Sequence, residues 1–138
     1  MAYDPNNIFA KILRGELPCI RLYENDTTLA FMDIMPQSRG HVLVLPKEAA
    51  ETFYDLSETA AAECMKTAKH LAQALHQVLQ PDGLFIGQFN GAAAGQTVPH
   101  VHFHLIPRYE GEALHLHARE MADRGQLEAL AEQIRAVL

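Results

Sequence analysis

The chain has 138 residues, 49% of them apolar and 20% charged, a size and balance that favour one folded domain over residues 1–138 and exclude a disordered or coiled-coil protein. Its net charge of −6 supplies no broad positive field for a nucleic-acid backbone, whereas a small anion held by a few local donors remains open. Cys19 and Cys64 form no CxxC and the N-terminus has no signal-like apolar run, so a cytoplasmic protein with reduced thiols and no membrane span is expected.

Asp4 followed by Pro5 reads as the N-cap and first position of a short amphipathic helix, with Ile8, Phe9 and Ile12 on one face and Gly15 as its stop. "CIRLYE" and "TLAFMD" are strand-like runs around an "NDT" turn, and "HVLVLP" follows Gly40 as a third strand. From Ser57 the recurrence of Ala61, Met65, Ala68, Ala72, Leu75 and Leu79 predicts a helix of about six turns, ended by "PDG". "LFIGQFN" and "VHFHLIP" predict two more strands separated by the small-residue loop "GAAAG". A last helix is expected over 126–138, with Asp123 and Gln126 as a capping box. The class is therefore α+β: a mainly antiparallel five-stranded sheet with a long helix and a short N-terminal helix. Neither GxGxxG nor GxxxxGK[ST] occurs.

The densest chemistry lies in "TVPHVHFHLIPR", where His100, His102 and His104 alternate with Val101, Phe103 and Leu105. On a strand, the imidazoles would share one face about 6.6 Å apart, close enough to surround one phosphate-sized anion, while the apolar residues pack on the other. Immediately upstream, "GAAAGQT" offers backbone N–H groups, the Gln96 amide and the Thr97 hydroxyl, which together can hold phosphoryl oxygens. A neutral imidazole is also a competent nucleophile, needing only orientation through its other ring nitrogen. Two other readings stay open: a metal-binding protein using His41 with the triad, and a nucleotide-binding adaptor without chemistry. His115 and His117 also alternate, but read as solvated.

"HVHFHLI" resembles the signature of the histidine triad (HIT) superfamily of nucleotide hydrolases and transferases, and "IFAKILRGELP", "LAFMDIMPQSRGHVLVLPK" and "FNGAAAGQTVPHVHFHLIPR" are similar to its corresponding segments in order. The resemblance implies a HIT-like fold and hydrolysis at the α-phosphate of a nucleoside phosphoramidate or dinucleoside polyphosphate through a nucleotidyl-histidine intermediate. It makes His102 the nucleophile and His100 the residue whose carbonyl orients it. His104 and His41 become phosphate contacts, Gln96 and Thr97 hold the phosphate and scissile bridge, and Asn90 touches phosphate or sugar. Ile8, Phe9, Ile12, Phe31 and Ile34 would wall the nucleoside pocket, with Asp33 accepting from the ribose. It further implies a purine nucleotide substrate, a homodimer and no cofactor. Bacterial members often carry zinc on an N-terminal CxxC, but Asn7 and Ala10 stand there in this chain and "PKEAAE" lacks the accompanying histidine, so no metal is expected.

Overall fold

The computed structural model describes residues 2–113 and 121–138. His115 and His117 lie outside the described residues. The elements run α1 (Ile8–Leu13), β1 (Arg21–Glu24), β2 (Thr28–Met32), β3 (Val42–Pro46), α2 (Glu58–Leu79), β4 (Gly83–Gln88), a 3-10 turn (Ala92–Ala94), β5 (Phe103–Arg108) and α3 (Arg124–Arg135). The strands form one antiparallel five-stranded sheet in the order β1-β2-β3-β5-β4, the α+β architecture expected. Among the described residues no helix is long and apolar enough to cross a membrane.

β2 and β3 are buried at every position because both faces of the sheet are covered. Side chains alternate between faces, so Ala30, Met32, Val42 and Val44 join α2 and α3 in the larger core, which also holds Cys64, Leu71, Leu75 and Ile134. Leu29, Phe31, Leu43 and Leu45 face the other way and pack with Phe9 of α1. The second face supports the candidate site.

The first helix starts later than the Asp-Pro pair suggests. Asn7 is the N-cap, its Oδ1 accepting from the Ala10 N–H at 2.8 Å, while the Asp4 carboxylate accepts from the Asn6 N–H within the preceding turn. Asn7 prevails because its buried amide is satisfied at both ends, its Nδ2 donating to the Asp4 carbonyl at 2.7 Å. Gly15 ends the helix as expected, at φ +78°.

α2 covers the six turns anticipated, but the phase of its buried stripe is corrected. Ala60, Cys64, Thr67, Ala68, Leu71, Ala74 and Leu75 face the sheet, while Met65 is 44% exposed. An alanine-rich helix has little side-chain contrast with which to fix its phase. Here the contact that does so is polar: the hydroxyls of Thr67 and Thr28, both buried, meet at 2.7 Å.

At the start of α2, Ser57 Oγ accepts from the Ala60 N–H at 3.1 Å, and the hydroxyl in turn donates to Glu48 at 2.8 Å. Ser57→Ala is expected to destabilise the fold by about 1 kcal/mol in denaturant unfolding, the usual cost of a lost N-cap. An unchanged midpoint would show that Glu48 carries this helix start alone.

Candidate active site

A cavity of about 640 Å³ opens on the α1 side of the sheet. Ile8, Phe9 and Ile12 from α1 and Phe31, Asp33 and Ile34 from the end of β2 line it, as do Thr97, His102 and His104. The five residues expected to wall the nucleoside pocket, and Asp33 expected to accept from the ribose, are thus gathered in one place. Asn90, Gln96, His41 and His100 lie outside the lining and bear on it indirectly.

The histidine row departs from regular alternation. β5 begins only at Phe103, because the Val101 N–H donates to the Ala50 carbonyl at 2.9 Å instead of entering the ladder. His100 and His102 therefore precede the strand, and the three rings do not share one strand face. The His100 ring turns away from the cavity: its Nε2 bonds the Pro46 carbonyl at 2.8 Å and its Nδ1 the Tyr3 hydroxyl at 2.6 Å. A carbonyl only accepts, so Nε2 carries the His100 proton and Tyr3 donates to Nδ1.

Hydrogen-bond partners likewise fix the protons of the rings that face the site. His102 Nδ1 lies 2.7 Å from the His100 carbonyl, so Nδ1 holds the proton and Nε2 keeps its lone pair. The Gln37 backbone N–H reaches His41 Nδ1 at 3.0 Å, forcing that nitrogen to accept. The proton of His41 then sits on Nε2 and is donated to His104 Nδ1 at 3.0 Å. His104 must carry its own proton on Nε2. One backbone amide thereby sets a relay in which His104 offers a donor and His102, with ring centroids 5.0 Å apart, offers a lone pair.

Burial keeps these rings uncharged. It lowers His102 to about 4, and lowers His104 to about 3 with the neighbouring His102 and His41 adding to the effect. His41 falls to about 4, again chiefly by burial and then by His102. Asp33 moves oppositely: burial raises it to about 6 against the donated Met35 N–H. Its Oδ2 stands 3.6 Å from His41 Nε2. At neutral pH this contact pairs a carboxylate with a neutral ring, and is not an ion pair.

Asp33, His41 and His104 place three ligand atoms within 4.8 Å of one another, the arrangement a metal reading would use. The hydrogen bonds oppose it. A metal on His41 Nε2 would push that proton to Nδ1, against the Gln37 N–H already pointing there. The N-terminal zinc arrangement that the resemblance raised fits no better: Asn7 caps α1, Ala10 offers no side-chain donor, and both His100 nitrogens are engaged.

Three residues expected at the phosphate are committed elsewhere in this structure, His41 among them, with its Nδ1 bonded to the Gln37 N–H and its Nε2 to His104. Gln96 donates to the Glu51 and Val98 carbonyls at 2.7 and 2.9 Å and accepts from the Gly91 N–H at 2.7 Å. It braces the loop that presents Thr97. Asn90 forms a reciprocal amide pair with Gln88 and accepts from the Phe53 N–H, so it shapes the exit of β4 and does not face the cavity. Two further residues carry no signal in the sequence: Gln37 acts through its backbone N–H, and Tyr3 lies far from any motif.

The sheet thus carries a carbonyl-oriented imidazole beside a tautomer-fixed one, above an apolar cavity. The HIT domain family model matches residues 14–111. The adenosine 5'-monophosphoramidase hnt1 of Schizosaccharomyces pombe is 43% identical over 101 residues, covering 73% of each chain. Its Saccharomyces cerevisiae counterpart HNT1 is 40% identical over 105 residues, 76% of this chain and 64% of that one. A crystal structure of a Hit-like protein from Bartonella henselae, solved with an unknown ligand, superposes with a TM-score of 0.93 at 44% identity and full coverage of both chains. The chain belongs to the HIT family.

Proposed function

We propose that this chain, acting as one domain over 1–138, is a nucleotide hydrolase that cleaves a purine nucleoside 5'-phosphoramidate at the α-phosphorus. Two relatives named as adenosine 5'-monophosphoramidases support the substrate class. The observation that carries the mechanism is the 2.7 Å contact from His102 Nδ1 to the His100 carbonyl. It leaves Nε2 free to attack, and it strengthens as the ring gains positive charge on forming the nucleotidyl-His102 bond. The relay-fixed Nε2–H of His104 faces the oxygen that gains charge. The apolar wall holds the nucleoside, and Asp33 accepts from its ribose. Water then attacks phosphorus and releases the nucleoside monophosphate.

The test is AMP release from adenosine 5'-phosphoramidate and, separately, diadenosine triphosphate, with and without chelator. Release that survives chelator from either supports the histidine reading, and the faster substrate identifies the bond cleaved. Nucleotide binding without release supports an adaptor, and loss with chelator a metal-dependent reaction.

The same reading places a homodimer along the free edge of β4. Phe85 and Ile86 are 44% and 49% exposed there, beside unpaired backbone groups that invite pairing. Sedimentation as a monomer at micromolar concentration would count against it.

Asp33 should set the acid limb of kcat/KM near pH 6, since only its ionised form is a full acceptor for a ribose hydroxyl and His102 titrates lower. Asp33→Asn is expected to lower kcat/KM about tenfold at pH 7.5, the order of one hydrogen bond to a charged group, and to erase the limb. A limb unmoved in that variant assigns it elsewhere.

A further inference from the structure

His100 is wholly buried and lies outside the cavity lining, yet its carbonyl is the group that aims His102. Two anchors hold that carbonyl. The first is its own peptide plane: the Val101 N–H, at the other end of the same peptide, donates to the Ala50 carbonyl at 2.9 Å. The second is the His100 ring. β3 pairs with β5 only from Val42 to Val44, and beyond that stretch the Pro46 carbonyl accepts from His100 Nε2 at 2.8 Å. The remaining nitrogen, Nδ1, meets the Tyr3 hydroxyl at 2.6 Å, with the two rings edge to face and 5.7 Å between centroids. Tyr3 stands ahead of α1, 97 residues from His100 in the chain. Burial holds the His100 ring below its ordinary value, so the ring is neutral at pH 7, Nδ1 presents a lone pair, and Tyr3 donates to it.

We propose that Tyr3 is a positioning residue for the hydrolysis proposed above, the reading on which this assignment rests: its hydroxyl locks the His100 ring, and the locked ring holds the carbonyl that orients His102. Without the hydroxyl, Nδ1 would be a buried acceptor with no donor, a cost that the ring relieves by turning or by moving its proton to Nδ1. Either change takes the donor away from the Pro46 carbonyl and lets the His100 side chain shift. Only the Val101–Ala50 bond then holds the peptide, and a single bond leaves it free to pivot. The His102 Nδ1–H bonds to the oxygen of that peptide, so a pivot swings His102 Nε2 off its line. Tyr3 does not line the cavity. Its effect therefore falls on the aim of His102 and not on the binding of the nucleoside.

The experiment compares the full chain with Tyr3→Phe and Thr67→Ala for kcat on adenosine 5'-phosphoramidate, affinity for AMP, thermal midpoint, and the ring nitrogens and their protons in nitrogen-15 histidine-labelled protein. Phenylalanine keeps the ring and deletes one oxygen. Thr67→Ala deletes a buried hydroxyl contact between α2 and β2, on the face of the sheet opposite the cavity, and so lowers stability without reaching His100. In Tyr3→Phe, kcat should fall by at least about tenfold, short of the roughly hundredfold that a misplacement of about 1 Å can cost, with AMP affinity within about twofold. The Nδ1–H proton of His102, slow to exchange with water in the wild type, should exchange faster in that variant. In Thr67→Ala the midpoint should fall while kcat and the exchange stay at wild-type values. Equal kcat in Tyr3→Phe and wild type, or an equal loss in Thr67→Ala, overturns the positioning role and leaves the hydrolase reading standing. The wild type alone supplies a second test, independent of whether Tyr3→Phe folds: His100 should carry its proton on Nε2 and His102 on Nδ1, and a His100 proton on Nδ1 overturns the assignment. No AMP release by the wild type overturns the hydrolase reading and the role of Tyr3 with it.

Discussion

Replacing His102 with alanine should reduce AMP release from adenosine 5'-phosphoramidate by at least about 10⁴-fold, the scale on which enzymes lose rate when the nucleophile itself is removed. Among the described residues the ring is the one group at the cavity whose lone pair is both free and aimed by a bond on its other nitrogen. The substitution should leave the sheet intact: His102 precedes β5, so no ladder position changes, and the space created adjoins an existing cavity. Nucleotide affinity should stay within a few-fold, since the nucleoside walls come from α1 and β2. Turnover, nucleotide affinity and thermal midpoint measured on the same preparation separate the cases. Activity within tenfold of wild type would remove His102 from the chemistry. Loss of both activity and fold would be resolved by His102→Asn, which keeps a polar side chain in the same place.

Much of this site is legible in the chain because its chemistry depends on residue types at fixed spacing. "HVHFHLI" announces the histidines, and the alternating apolar residues of "TLAFM" and "VLVLP" place Phe31 and Leu43 on the face that α1 covers. What could not be read depends on backbone groups and long-range contacts. The late start of β5, which leaves His100 and His102 ahead of the strand, follows from a bond between Val101 and Ala50, about fifty residues apart in the chain, which no local pattern encodes. Gln96 looks like a phosphate ligand by position, yet three bonds hold it within its own loop. Phase along α2 escaped for a different reason: alanines satisfy several helical faces equally, and the choice was made by Cys64, Thr67 and Leu71 meeting the sheet.

The neutral state of the histidine row should make the fold acid-labile in a defined window. A group whose folded-state value lies below its unfolded one opposes folding once the unfolded chain takes up its proton. The penalty of His41, His102 and His104 therefore begins as pH falls below about 6.5 and grows until their native values, about 4, 4 and 3, are reached. His100 is lowered too, by burial first, and adds to this. Asp33 acts with the opposite sign: its folded value near 6 exceeds its ordinary 3.8, so the native state takes up that proton first and gains stability as pH falls from 6 toward 4. At pH 5 the protons of His41, His102 and His104 favour the unfolded chain and that of Asp33 favours the native state, with His100 adding to the unfolded side. A net difference of two corresponds to on the order of 2 to 3 kcal/mol lost per pH unit, enough to exhaust a typical domain's stability within a few units. Chemical denaturation from pH 7.5 to 4.5 should show a plateau above about pH 6.5 and a steep fall below it, and Asp33→Asn should steepen the fall because the offsetting proton is gone. A flat profile through pH 5 would mean that the rings titrate in the native state much as they do in the unfolded chain, and would remove burial as what sets their charge.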